Sequence, residues 1–169
     1  IGLVGLLGTY IQPLNAQGFN KHRLEKFRIL HHQRLQSQRF TYRKAFGVSP
    51  DTDAPAPPAA FSFVAYGKQF DMDLESNEHL LENLPKAMRK RLKQSMQLYK
   101  GRVNGMAGTW ARVNRTGDRI SGAFWDGNEL FIIDNSDVVG TNMEPVAGAG
   151  NSVAPYNLVY KLSDTQTTA

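Results

Sequence analysis

The sequence predicts a mainly β chain, an antiparallel β-sandwich or partly open barrel with one or two helices, preceded by a basic helical or extended arm. Two observations carry this expectation. From Phe61 onward, short runs rich in Phe, Val, Ile, Trp and Tyr alternate with glycine-containing turns, and several runs are apolar on both faces, as strands covered from two directions are. Before them, "GVSPDTDAPAPPAA" at residues 47–60 holds four of the eight prolines among small and acidic residues. That composition excludes helix and central strand and reads as a semi-rigid linker.

The predicted order is an apolar opening over residues 1–16, a basic arm over 17–46, the linker over 47–60, a β-rich domain over 61–164 and a tail over 165–169. With 169 residues there is room for one ordinary core, or one domain plus an arm. "IGLVGLLGTYI" runs eleven residues without a charge. It is too short to span a bilayer and matches the apolar region of a signal peptide, with cleavage after Ala16, so export to the periplasm or the extracellular space is expected.

The arm carries the charge. Of a net charge of +5, residues 1–60 contribute 8 Lys/Arg against 3 Asp/Glu, and residues 61–169 are balanced at 12 against 12. Leu24, Phe27, Leu30 and Leu35 form a rough helical stripe, and Phe40, Tyr42 and Phe46 alternate as in a strand. A basic amphipathic segment of this kind can bind nucleic acid or a membrane, or cover another surface with its apolar stripe. His31 and His32 are adjacent and point to different faces of a helix, which is poor metal geometry.

Within the β region, "FSFVAYGKQFDMDLES" reads as a hairpin turning at Gly67-Lys68, with Gly at the first central position of a type II′ turn. Phe70, Met72 and Leu74 then face one way, and Asp71, Asp73 and Glu75 the other. Three carboxylates on a strand could touch calcium but wrap it poorly, so a solvated face is expected. "NLPKAMRKRLKQSMQLY", Asn83 to Tyr99, predicts a helix capped by Asn83, with Pro85 in its first turn and Met88, Leu92, Met96 and Tyr99 as its stripe. Its polar face carries Lys86, Arg89, Lys90, Arg91 and Lys93, and Arg89-Lys90-Arg91 is a candidate processing site. A meander follows: "GRVNG", "TWARVN", "RISGAFW" and "ELFIID", with a strong turn at Asp126-Gly127, then a loop from Asn135 to Pro155 and a last strand in "YNLVYKLSD".

Several chemistries are excluded. With no cysteine there is no disulfide, zinc-thiolate site or thiol nucleophile. "YKGRVNGMAGTW" has its glycines at 101, 105 and 108, which fits neither the P-loop nor the dinucleotide fingerprint, so they are expected to serve turns. There is no H-E-x-x-H, His79 in "SNEHLL" stands alone, and no serine sits in a nucleophile elbow. The segment reads as non-enzymatic, with no catalytic, cofactor-binding or metal-binding residue of its own.

Taken in order, these blocks resemble the propeptide domain of reprolysin-type (adamalysin-like) zinc metalloproteases. The family pattern runs from an aromatic strand through "GK" to an alternating "F-x-L-x-L" strand with Asn and Leu after it, and "FSFVAYGKQFDMDLESNEHLL" is similar to it. "YKGRVNGMAGTWARVNRTGDRISGAFWDGNELFIID" resembles the family's glycine-separated strands, and "YNLVYKLSD" parallels its closing strand. The resemblance spans roughly a hundred residues, and it is their order that carries it. It implies a pro-domain that assists folding of a secreted zinc protease, holds it latent and is removed by proteolysis. It also implies partners, the catalytic domain in cis or in trans and a processing protease, and it places zinc in that catalytic domain. With no cysteine available to ligate that zinc, latency by steric cover of the cleft is expected. The alternative from the residues alone is a non-enzymatic module that binds anionic surfaces, nucleic acid or membrane, through the basic arm.

Overall fold

A computed structural model describes residues 27–43, 55–143 and 154–167. The apolar opening, the Ala16 cleavage point, most of the linker and the first ten residues of the arm lie outside these. Eleven strands are present among the described residues: β1 Phe27–Ile29, β2 Gln33–Arg34, β3 Gln36–Tyr42, β4 Ala59–Ala65, β5 Lys68–Ser76, β6 Gln97–Val103, β7 Trp110–Thr116, β8 Arg119–Trp125, β9 Leu130–Asn135, β10 Asn157–Lys161 and β11 Thr165–Thr167. Helix α1 spans Lys86–Ser95, and a single helical turn, α2, spans Ser136–Val139.

Nine strands form one antiparallel sheet in the order β2-β10-β9-β8-β7-β6-β5-β4-β3. Its two edge strands are consecutive in the chain. β2 pairs with β10, β3 pairs with β4, and Leu35 between them donates its amide to Asn157 O at 3.1 Å. The sheet therefore returns on itself as a nearly closed barrel, one of the two architectures expected from the sequence. At this stave number a barrel interior is just wide enough to be filled by side chains.

Alternation along each strand fills it. Ala59, Phe61, Phe63 and Ala65 of β4 face inward beside Leu74, Met72 and Phe70 of β5, and Tyr99, Val103, Val113, Phe124, Phe131, Ile133 and Val159 complete the core. Phe124 and Phe131, opposite one another on β8 and β9, stack with ring centroids 4.8 Å apart. Such aromatic pairs add about 1 kcal/mol beyond the area they bury. The outer face of β9 and β10 is covered as well. Ile29, Val139, Leu158 and Tyr160 make a second, smaller cluster beneath the β1-β11 ribbon and α2. Apolar residues on both sides of these strands have this physical cause.

The described part of the arm takes the extended form and not the helical one: residues 27–29, 33–34 and 36–42 are strands, Phe40 and Tyr42 lie on β3 as their alternation predicts, and Leu24 lies outside the described residues. Leu35 is buried in the barrel and Ile29 under the ribbon, so the apolar positions serve two sheets and not one helix face. Residues 165–167, read as tail, form β11 against β1. The loop read from Asn135 to Pro155 opens with α2 and a 3-10 turn at Gly140–Asn142. The helix read over 83–99 is shorter, with Pro85 at its N-cap, no side-chain cap, and Met96 already extended. Tyr99 belongs to β6 and is 1% exposed, because its pairing with Ser76 and Val113 places it in the barrel core. The first hairpin turns at Tyr66-Gly67, both at positive φ, and Ala65 pairs with Lys68. This is the type I′ arrangement, whose twist matches the flanking strands, in place of a II′ turn one residue later.

Candidate functional site

The barrel is packed, so its candidate sites lie at its ends. At one end, the 3-10 turn Glu78–Leu81 and α1 cross outside the sheet. Helix α1 buries none of its residues and contains five cations and no acid. Lys93 pairs with Glu78 at 2.6 Å, both side chains 17% exposed, and Glu78 also accepts from Ala56 N at 2.7 Å. Arg89 donates to the carbonyls of Glu82 at 3.3 Å and Leu84 at 3.4 Å, which ties the start of the helix to the turn before it. Two concavities result. One, of about 420 Å³, lies between the turn and the sheet and includes Ser76, Glu78, His79, Arg89, Lys93 and Lys100. The other, of about 220 Å³, is lined by Lys86, Arg89, Lys90 and Lys93 alone.

The candidate processing residues sit here. Lys90 and Arg91 are exposed on α1, and Arg89 is half-buried with its guanidinium engaged. Sequence reading assigned the five cations to one polar face. It missed the Glu78 partner of Lys93, which comes from a different element and leaves no periodic signal.

Near β3 a second group gathers Phe40, Phe61, Arg115, Gln38, Asp118 and Ile120 around about 250 Å³. The Arg115 guanidinium lies 4.8 Å from the Phe40 ring centroid and 5.4 Å from that of Tyr42, and it donates to the Tyr42 hydroxyl. Tyr42 in turn donates to Gln97 Oε1 at 2.8 Å. Beneath them Tyr99 is buried. Burial pushes its hydroxyl up to about 12, with Tyr42 adding to the effect and Arg115 opposing it. Asn157, 5% exposed, secures the closure: its Oδ1 accepts from Ile120 N at 3.2 Å and its Nδ2 donates to Gln38 Oε1 at 2.9 Å. Neither Arg115 nor Asn157 is singled out by sequence, since an isolated Asn or Arg in a strand carries no local signature.

The remaining sequence candidates are dispersed. Asp73 pairs with Arg43, Glu75 with Lys100 at 3.4 Å, and Asp71 accepts from Gln69 at 3.0 Å, so the three carboxylates on the outer face of β5 serve separate neighbours. Among the described residues no three His, Asp or Glu side chains converge as metal ligands. His31 packs edge-on against Tyr66 at 5.6 Å, and burial, with His31 beside it, lowers the pKa of His32. The described cations of the arm are dispersed: Arg28 on β1, Arg34 on β2 over the Tyr156 ring, Arg39 exposed on β3, and Arg43 just after β3 on Asp73.

The glycine-rich stretch performs turns and close approaches. Asn104 and Gly105, both at positive φ, turn the chain from β6, with Met106 N bonded to Val103 O at 3.1 Å. Thr109 Oγ1 fixes the turn by accepting from Val103 N at 3.0 Å and donating to Met106 O at 2.7 Å. Gly101, expected to serve a turn, lies instead inside β6 between Leu74 and Ala111. Comparison with protein-family models, with curated proteins and with solved structures finds no match to this chain.

Proposed function

We propose that this chain is the pro-domain of a secreted zinc metalloprotease, one that assists folding of the catalytic domain and keeps it latent by covering its cleft until proteolysis removes it. The observation that carries this reading is the order of the blocks that resemble the reprolysin propeptides, together with their fit to one barrel. "FSFVAYGKQFDMDLES" makes up most of β4 and all of β5, and "YKGRV", "TWARVN", "RISGAFW", "ELFIID" and "YNLVYK" fall on β6, β7, β8, β9 and β10 in turn. A sequence pattern that maps strand by strand onto a continuous meander behaves as one folding unit.

The packed interior agrees with a partner-binding role, because residues from β4 through β10 fill the space a small ligand would need. What such a barrel offers is surface. A surface that binds only the folded protease stabilises it by mass action, by about 2.7 kcal/mol at a hundredfold excess over Kd. Linkage in one chain supplies that excess as effective concentration.

The test is to add the purified chain to the refolding catalytic domain of a reprolysin-type protease and to the folded enzyme. A higher yield of active enzyme after pro-domain removal, together with saturable inhibition of the folded enzyme, is expected. No change in either, with any cognate protease, would overturn the reading.

A further inference from the structure

The concavity on α1 differs from the other two described above in that its lining is four cations, Lys86, Arg89, Lys90 and Lys93, the last of them paired with Glu78. Their i, i+3, i+4, i+7 spacing places them on one helix face over about 10 Å of axis. Two of the four are already positioned, Lys93 by Glu78 and Arg89 by the Glu82 and Leu84 carbonyls. Holding them costs a ligand little further side-chain entropy. Lys86 and Lys90 are exposed beside them.

We propose that this face of α1 binds a linear sulfated polysaccharide, with the four cations meeting successive sulfate groups. The composition of the face selects among anionic partners. A protein partner needs an apolar centre to its interface, and α1 buries nothing and shows only Met88 as an exposed large apolar side chain. A single-stranded nucleic acid is held by stacking on aromatic rings, and no Phe, Tyr or Trp occurs from Ser76 to Leu98. A linear sulfated chain requires only cations at intervals along an accessible face, which α1 offers; duplex nucleic acid and anionic lipid, which also bind through cations, are the competitors in the experiment. The site is distinct from the basic arm and does not depend on the pro-domain reading.

The experiment measures retention of the full chain on immobilised heparin, with heparin, de-sulfated heparin, duplex DNA of equal charge and phosphatidylserine vesicles as soluble competitors. Lys86→Glu with Lys90→Glu is compared with Arg39→Glu with Arg102→Glu. Both pairs change exposed residues and shift the net charge equally. At about 0.15 M salt the α1 pair should weaken heparin binding about tenfold or more, while the control pair changes it less than about threefold, and affinity should fall steeply with salt. Soluble heparin should displace the chain and de-sulfated heparin should not. Equal loss in both pairs would reduce the effect to net charge and overturn the site. DNA or vesicles competing as well as heparin would overturn the assignment to sulfated polysaccharide. Circular dichroism of both variants establishes that the barrel is intact.

Discussion

Two inward-facing glycines set how tightly the barrel closes. A Cβ at Gly101 would lie 1.9 Å from Asp73 O, and one at Gly122, where φ is +152°, would lie 2.0 Å from Arg112 O. In each case the obstacle is the backbone of the next strand, which cannot move aside without breaking the ladder. Gly122→Ala is therefore expected to cost about 3 kcal/mol or more. Gly117→Ala is different: its φ of +60° is unfavourable, but nothing lies within 4 Å of the added carbon. It should cost only about 1 kcal/mol. Urea unfolding of the two variants checks this, and equal losses would refute the close-approach argument. These glycines are hard to read from sequence because an inward glycine interrupts the alternation without saying why. Tyr66 is equally hidden, since an aromatic residue seldom takes a left-handed backbone and the sequence places the turn at the next glycine.

Elements were legible where local pattern and final pairing agree. The alternation in 61–76 and the turns of the meander read directly as β4, β5 and β7 to β9. Misreadings fall where one stretch satisfies two periods. Met96 and Tyr99 continue the stripe of α1, but Tyr99 is needed inside the barrel, and that contact is set by strands far along the chain. The arm is the larger case. The alternation of Phe40 and Tyr42 marks β3, but β2 becomes visible only when β10, more than a hundred residues later, supplies its partner. Ser37, at φ +50°, occupies the irregularity where the register against β4 shifts between Gln36 and Arg39, so one segment serves both edges. Ser37→Gly should raise stability by about 0.5–1 kcal/mol by relieving the left-handed backbone. Ser37→Pro, locked near φ −65°, should lower it by about 3 kcal/mol or more by opening the seam. Thermal unfolding of the two variants distinguishes them, and a neutral proline would mean that the β2-β3 junction does not hold the barrel shut.

At the scale of the whole molecule, the pattern of apolar faces indicated sheets covered from two sides but could not choose between sandwich and barrel, because closure is a single non-local pairing. The α1 cations were legible as a face and not as a concavity, since Glu78 and the carbonyls of Glu82 and Leu84 act from outside the helix. Closure has a measurable consequence at alkaline pH. Tyr99 in the barrel, Tyr160 in the second cluster and Tyr66 at the first hairpin are each pushed up to about 12, foremost by burial. In the unfolded chain a tyrosine ionises near 10. Below about pH 10 both states hold these protons, and the three groups add no pH dependence. Between about 10 and 12 the unfolded chain sheds protons that the folded chain retains, so stability is lost progressively as pH rises through that window. The melting temperature should therefore fall steeply above pH 10, with part of the tyrosinate absorbance appearing only as the β-sheet dichroism is lost. Tyr99→Phe sharpens the test. The Tyr99 hydroxyl has no hydrogen-bond partner among the described residues, so its removal should leave stability at neutral pH unchanged or raise it by about 1 kcal/mol. The same variant should lose less stability between pH 10 and 12 than the parent. Full tyrosine ionisation near pH 10 with the sheet intact would mean that these side chains are open to water and that the barrel does not close as described.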